Sequence, residues 1–338
     1  MPLDQSTPEP PIDFDEELAA TVSRLFWLED RSKTEIADEF GLSRFKVARI
    51  LDDARRYGIA RIEIVEPTER IGRLAGQVRE AYGLTDVRLS VRPITTSGGL
   101  AELGAVAASF LSERIRPGMV LGLGWGSTMA EVVAHLAPGG PADVVQLAGG
   151  FASSDDDFNG NQLVMAASAV LGGNPYLLHA PALVSSVEAR TVLRADETIA
   201  RTVAKYQELA AIVTGIGVWK AHSSSALYRG NVLSASVHAE LRKWDVVGDT
   251  CCHFIDAHGT VIAALEGRVT GISVTEIRST PVRVAVAGGA DKLAPIRAAL
   301  ASGLPNVLIT DLSTARALLA TGIDRDGRKD RDGGLNHG

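Results

Sequence analysis

Cysteine is nearly absent: 338 residues hold two, Cys251 and Cys252, side by side. Adjacent cysteines close only a strained disulfide, and two thiols are too few to ligate zinc, so neither a disulfide framework nor a metal centre is expected. His253 comes next, but consecutive residues of a strand point to opposite faces, which keeps the three from converging on one ion. An apolar leader is missing as well. The opening stretch MPLDQSTPEPPIDFDEE is Pro-rich and acidic, so it reads as neither signal peptide nor membrane anchor, and residues 1–14 are expected to be disordered. These absences point to a soluble cytoplasmic protein. Overall positive charge is lacking too, since 34 Lys and Arg face 41 Asp and Glu for a net charge of -7. Hydrophobic residues, at 46%, are ample for a core, and the length suits one small and one larger domain, or three small ones.

Against that acidic background, SKTEIADEFGLSRFKVARILDDARRYGIAR (32–61) is locally basic. Ser32 can cap a short helix carrying Ile36, Ala37 and Phe40 on one face; Gly41 supplies a turn; Ser43 caps a second helix striped by Val47, Ile50, Leu51 and Ala54. The pattern is that of a helix-turn-helix, followed after Gly58 by the alternating strand IARIEIVEP as a wing. From Ser43 to Arg61, six basic residues (Arg44, Lys46, Arg49, Arg55, Arg56, Arg61) meet two acidic ones (Asp52, Asp53). Such a face suits phosphate contact, because each neutralised phosphate releases condensed counterions. The residues expected to meet double-stranded DNA are Ser43, Arg44, Phe45, Lys46 and Arg49. An amphipathic helix over Glu17–Leu28, with Phe26 and Trp27 as packing residues, would complete a domain spanning 15–66. The stripe Ile71, Leu74, Val78 and Tyr82 marks a linker helix over 67–84 that could serve as a dimer contact.

From Val87 onward, strands alternate with helices, the signature of a parallel sheet covered on both faces. Strands are expected at 87–91, 119–124, 143–150, 175–180, 210–217, 283–289 and 306–310. Helices are expected at 99–115, 127–136, 161–171, 196–207, 291–301 and 312–320. CCHFIDAHGTVI reads as a hairpin turning at His258 and Gly259, added to a domain that ends near residue 322. The tail 323–338 mixes charge with glycine and is expected to be disordered.

Ligands of open α/β sheets sit beyond the carboxyl ends of the strands, where this chain is rich in glycine. GLGWGST (122–128) passes from strand to helix, and its backbone N–H groups with Ser127 and Thr128 suit an anion. The loop lacks both the GxGxxG spacing of a dinucleotide site and the lysine of a Walker loop. Lys292, in AGGADK, stands at a helix start, where a cation is unfavourable unless an anion meets it. Asp249 can accept sugar hydroxyls or can serve as a turn residue; Asn161 and Gln162 can cap a helix or face a ligand. The acidic run Asp155 to Asp157 reads as a solvated loop.

These motifs resemble the SorC-type (DeoR/SorC) bacterial transcriptional regulators. The resemblance runs from about Leu18 to Leu319 through SKTEIADEFGLSRFKVARILDDARRYGIARIEI, PGMVLGLGWGSTM, VVQLAGG, LLHAPALV, VVGDTCCHFIDAHG and AVAGGADKLAPIRAALASGLPNVLITDLSTARALL. It implies an α/β protein with an N-terminal winged helix-turn-helix and a Rossmann-like effector domain, similar to ribose-5-phosphate isomerase, glucosamine-6-phosphate deaminase and the CoA-transferase-like folds. It implies operator DNA, a phosphorylated sugar or polyol effector, and a homo-oligomer, dimer or tetramer, as partners. Neither cofactor nor metal is implied. Carried over by motif, Gly124, Gly126, Ser127 and Thr128 hold phosphate, Lys292 assists, and Asp249 and Gln162 contact the sugar. Where a lysine in the VVQLAGG strand can form a Schiff base, this chain has Leu147 and Ala148; where the family often has Gly-Arg, it has Cys252 and His253. A repressor is the leading expectation. The alternative, a sugar-phosphate isomerase or deaminase with an appended DNA-binding unit, has Asp249 as its sole acid–base candidate and no placed histidine partner, so no catalytic residue is expected.

Overall fold

The computed structural model describes residues 11, 14–61, 68–150, 160–219, 233 and 235–320. The chain divides into two compact units, Met1–Val65 and Glu66–Gly338.

In the first unit Asp15 caps α1 (Glu16–Trp27) by accepting the Leu18 N–H at 2.9 Å. Helix α2 (Lys33–Phe40) opens with a capping box, in which Ser32 Oγ accepts the Glu35 N–H and the Glu35 carboxylate accepts the Ser32 N–H. It ends at Gly41, whose φ of +63° only glycine adopts without strain. Ser43 then caps α3 (Arg44–Arg56) through the Lys46 N–H at 3.2 Å. Val22, Ile36, Ala37, Val47, Ile50, Leu51 and Ala54 form the buried core, with Phe26 and Trp27 half-buried against it. Ala37 is small where α2 meets α3, and a larger side chain there would cost about 1–3 kcal/mol by overpacking. Gly58, at φ +75°, follows the end of α3. The expected wing continues into residues 62–67, outside the described residues.

The second unit begins with α4 (Thr68–Tyr82). Of its expected stripe, Val78 is buried in the sheet core with Leu74 and Tyr82 half-buried against it, and the Tyr82 hydroxyl donates to the Leu318 carbonyl at 3.1 Å.

Seven parallel strands form the central sheet in the order β1, β10, β9, β5, β2, β3, β4. They are β1 (Asp86–Ser90), β2 (Val120–Leu123), β3 (Ala142–Gln146), β4 (Gly172–Tyr176), β5 (Leu209–Gly215), β9 (Val282–Val286) and β10 (Val307–Asp311). Alternation along each strand feeds two cores. Val145, Ala285 and Leu308 join a core with Val78 of α4, Ile296 of α13 (Leu293–Ala301) and Leu318 of α14 (Leu312–Ala320). Val144, Val284 and Ile309 join another with Phe110 of α5 (Gly99–Ser112), Met129 of α6 (Ser127–Ala134) and Val164 of α7 (Gly160–Leu171). Such two-sided burial explains why the strands read as apolar runs.

Between β4 and β5 lie α8 (Val187–Ala195) and α9 (Glu197–Ala204), and before β9 come α11 (Ala263–Glu266) and α12 (Val274–Ser279). A small antiparallel sheet joins β6 (Gly217–Val218), β7 (Val246–Thr250) and β8 (His253–Asp256). It packs with α10 (Ala235–Lys243) around Val237, Leu241, Val246 and Phe254. The expected turn at His258 and Gly259 is present, with Ile255 pairing antiparallel to Val261 across it, and a further turn at Cys251 and Cys252, with φ of +49° and +65°, joins β7 to β8. At the His258–Gly259 turn the Asp256 carboxylate accepts the His258 and Thr260 N–H groups. The alternating-strand reading of Cys251–His253 is thus corrected: two of the three are turn residues. Among the described residues no group of His, Cys, Asp and Glu is arranged to hold a metal, and no helix is long and apolar enough to cross a membrane.

Candidate functional site

Strand order reverses between β2 and β5: the chain leaves β2 for β3 and β4 on one side, and β5 for β9 and β10 on the other. At such a switch point the loops beyond the carboxyl ends part and leave a crevice for a ligand. Three glycine-bearing segments border it here, after β2, β5 and β9.

The loop after β2 enters α6 at Gly126, whose φ of +113° only glycine tolerates. No side chain caps this helix, so its first backbone N–H groups remain oriented for an incoming acceptor. Ser127 is exposed on that first turn and Thr128 is buried. Gly124 is buried, and a Cβ there would crowd Thr214 of β5. Trp125 packs where three apolar clusters meet. Gly160 brings the start of α7 against Gln146 and Trp125, leaving Gln162 exposed in the first turn of that helix.

Asp249 lies in β7 opposite Gly217 of β6, and a Cβ at Gly217 would collide with its carboxylate. Burial pushes the Asp249 carboxyl up to about 6, against the Cys252 N–H and the Lys292 ammonium, which both favour its charged form. Lys292 ends a short 3-10 turn, Ala290–Lys292, that packs on β6. Burial lowers its pKa below the ordinary lysine value, and Asp249 opposes that shift. A desolvated carboxylate and a desolvated ammonium thus influence each other across the crevice edge. The Thr214 and Thr250 hydroxyls, 3.2 Å apart, tie β5 to β7 beneath them, and Cys251 Sγ donates to Thr214 Oγ1 at 3.4 Å. The arrangement offers backbone N–H groups and a cation to an anion, and a carboxylate to hydroxyls.

In the first unit, Ser43, Arg44, Phe45, Lys46 and Arg49 are all exposed on the first two turns of α3, opposite its buried stripe. The Ser43 oxygen already accepts the Lys46 N–H, which leaves its hydroxyl proton for an outside acceptor.

Residues 66–320 match the family model described as a sugar-binding domain. The chain belongs to this sugar-binding family. The deoxyribonucleoside regulator of Bacillus subtilis is 27% identical over 308 residues, which cover 90% of this chain and 97% of that protein. The transcriptional regulator LsrR of Enterobacter sp. is 29% identical over 311 residues, covering 90% and 94%. The sorbitol operon regulator SorC of Klebsiella pneumoniae shares the fold, with a TM-score of 0.69 at 23% identity over 90% of this chain and 99% of that one. These relatives are transcriptional regulators, not enzymes.

Within this member of the sugar-binding family, two further residues shape the crevice without having stood out in the sequence. Asp311, fully buried, accepts the Gly289 N–H at 3.0 Å and the Ser313 and Thr314 N–H groups at 2.9 and 3.0 Å. Burial alone would raise its pKa, but these bonds and the Ser313 and Thr314 hydroxyls outweigh it and hold the carboxyl below its ordinary value. An Asp directly before the apolar helix of α14 was a readable cap signal. Thr214 had no such signal, since its partners Gly124 and Thr250 are distant in sequence. His253 is buried, its Nε2–H donates to the Ile272 carbonyl at 2.8 Å, and burial holds its pKa below the usual histidine value.

Proposed function

We propose that this chain is a sugar-responsive DNA-binding transcriptional regulator of the cytoplasm, with its amino-terminal unit working as a winged helix-turn-helix. Arg44, Lys46 and Arg49 meet operator DNA from the exposed face of α3, with Ser43 and Phe45 beside them. In the effector unit, Gly124, Gly126, Ser127 and Thr128 take the phosphate of a phosphorylated sugar or polyol, Lys292 neutralises it, and Asp249 and Gln162 accept and donate to hydroxyls.

The observations that carry this reading are the desolvated Asp249 and Lys292, which influence each other, and the uncapped helix start after β2, at the switch point of the sheet. Two opposed buried charges cost free energy, and a ligand carrying both an anion and hydroxyls would satisfy each of them. The unit is read as an isomerase-like Rossmann scaffold used for sensing. The chain acts as a homo-oligomer, dimer or tetramer, in which effector binding shifts DNA affinity by about 1–3 kcal/mol, releasing a repressor from its operator.

The test is a thermal-shift screen of the full chain against free and phosphorylated sugars and polyols, with product analysis and DNA binding run in parallel. A raised melting temperature, unconverted ligand and altered operator affinity are expected. Turnover of the ligand, abolished by Asp249→Asn, would replace this reading with that of an enzyme.

A further inference from the structure

We propose that Phe45 reads the methyl group of a thymine in the operator's major groove, an inference that rests on the DNA-binding reading above. Phe45 is 73% exposed, among the largest apolar exposures in the described residues. It lies on the first turn of α3, where a helix-turn-helix brings side chains to base edges. Helical spacing puts Phe45 and Arg49 on one face, away from Val47, Ile50, Leu51 and Ala54. The ring therefore contributes nothing to the unit's own core.

Its surroundings decide the class of partner. Arg44, Lys46 and Arg49 are exposed around it, and the Arg44 guanidinium stands 4.9 Å from the ring centroid. An apolar protein groove would have to desolvate those three cations, whereas a nucleic acid supplies phosphates for them. Stacking of Arg44 covers one face of the ring and leaves the remainder for contact. Among major-groove edges, adenine, guanine and cytosine present only donors and acceptors, and thymine alone adds a methyl. A phenyl ring has no hydrogen bond to offer the former, so its occupant is the thymine C5-methyl.

The experiment uses the full chain and a duplex selected from a randomised library, then resynthesised with dU in place of dT at one position at a time. One position in each half-site should bind about fourfold more weakly as dU, the effect of losing one buried methyl. Phe45→Ala should bind the dT and dU duplexes equally, and Phe45→Leu should keep part of the preference. An unchanged melting temperature for Phe45→Ala is expected from its exposure. Equal binding of dT and dU duplexes by the wild-type protein overturns the inference, as does a Phe45→Ala loss that simply adds to the dU loss. A wild-type protein that binds no duplex at all overturns the DNA-binding reading instead.

Discussion

The Asp311 carboxylate at the end of β10 accepts the Gly289 N–H at 3.0 Å and so anchors the loop that ends in Lys292. The Thr314 hydroxyl accepts the same N–H at 2.7 Å and donates to Asp311 at 2.6 Å, while the Lys292 N–H returns to the Gly289 carbonyl at 3.0 Å. Gly288 must lack a side chain, because a Cβ would strike the Asp311 carboxylate. One buried carboxylate thereby fixes the loop that carries Lys292.

Asp311→Ala should cost about 2–4 kcal/mol in urea unfolding, since it strands buried N–H groups. Hydrogen exchange should rise at Gly289, Ser313 and Thr314 before it rises elsewhere. Asp311→Asn should rescue only in part, because its amide would place a donor where the carboxylate now accepts. Full stability of the Ala variant would show that water replaces the carboxylate and that the anchor is incidental.

Asp249 gives stability a pH dependence of definite sign. Its carboxyl stands at about 6 in the folded protein and at an ordinary 3.8 when exposed. Between those values the folded state keeps a proton that the unfolded state has lost. This contribution is therefore fully present below pH 4 and falls as pH rises to about 6, by about 3 kcal/mol. Asp249→Asn lacks the effect. Its unfolding free energy relative to wild type should climb by that amount across the window and stay level above pH 7. A level difference throughout, measured by urea titration at stepped pH, would show that the carboxylate is solvated.

Cys252 predicts an inverted order of substitutions. It is 2% exposed, packs with Ala148, Ala182 and Val269, and holds φ at +65°. Ordinary core logic favours Val, which keeps the volume, over Gly, which empties it. The left-handed backbone costs an L-residue about 1–2 kcal/mol and a β-branched one more. Cys252→Gly should therefore stay within about 1 kcal/mol of wild type, and Cys252→Val should be less stable than Cys252→Gly. Melting temperatures in the opposite order would mean that the turn is unstrained.

What the sequence disclosed, and what it hid, follow from burial. The strands announced themselves because both sheet faces are covered, so Val284–Val286 and Leu308–Ile309 form unbroken apolar runs. Their ends were less visible: the 143–150 run stops pairing in its ladder at Gln146, though Leu147 and Ala148 stay buried. Helix α8 escaped notice because no residue of it is buried, and Val187 and Val192 face solvent. Helix α12 is legible through Ser273 and Glu276, which form a capping box. Lys292 and the Gly126 turn were readable from local chemistry. The placement of Asp249 was not, because its neighbours Gly217 and Lys292 come from loops that only the folded topology brings together.

Two variants should separate sensing from gripping. Lys292→Ala removes the crevice cation, and without it the Asp249 carboxyl loses an opposite charge and is expected to rise further. Phosphorylated sugars should then no longer raise the melting temperature, while operator affinity without ligand stays as in wild type. Lys46→Ala with Arg49→Ala should do the reverse. Each phosphate left without its cation reduces the slope of log affinity against log salt by about 0.9, so the pair should flatten it by up to about 1.8 per bound α3 while leaving the thermal response intact. Lys292→Met keeps the length and the apolar stem but not the charge, so it should behave as Lys292→Ala if attraction to an anion is what matters. A Met variant that still responds, or a Lys292→Ala protein that no longer binds DNA, would assign Lys292 a packing role and leave the anion to the α6 N–H groups alone.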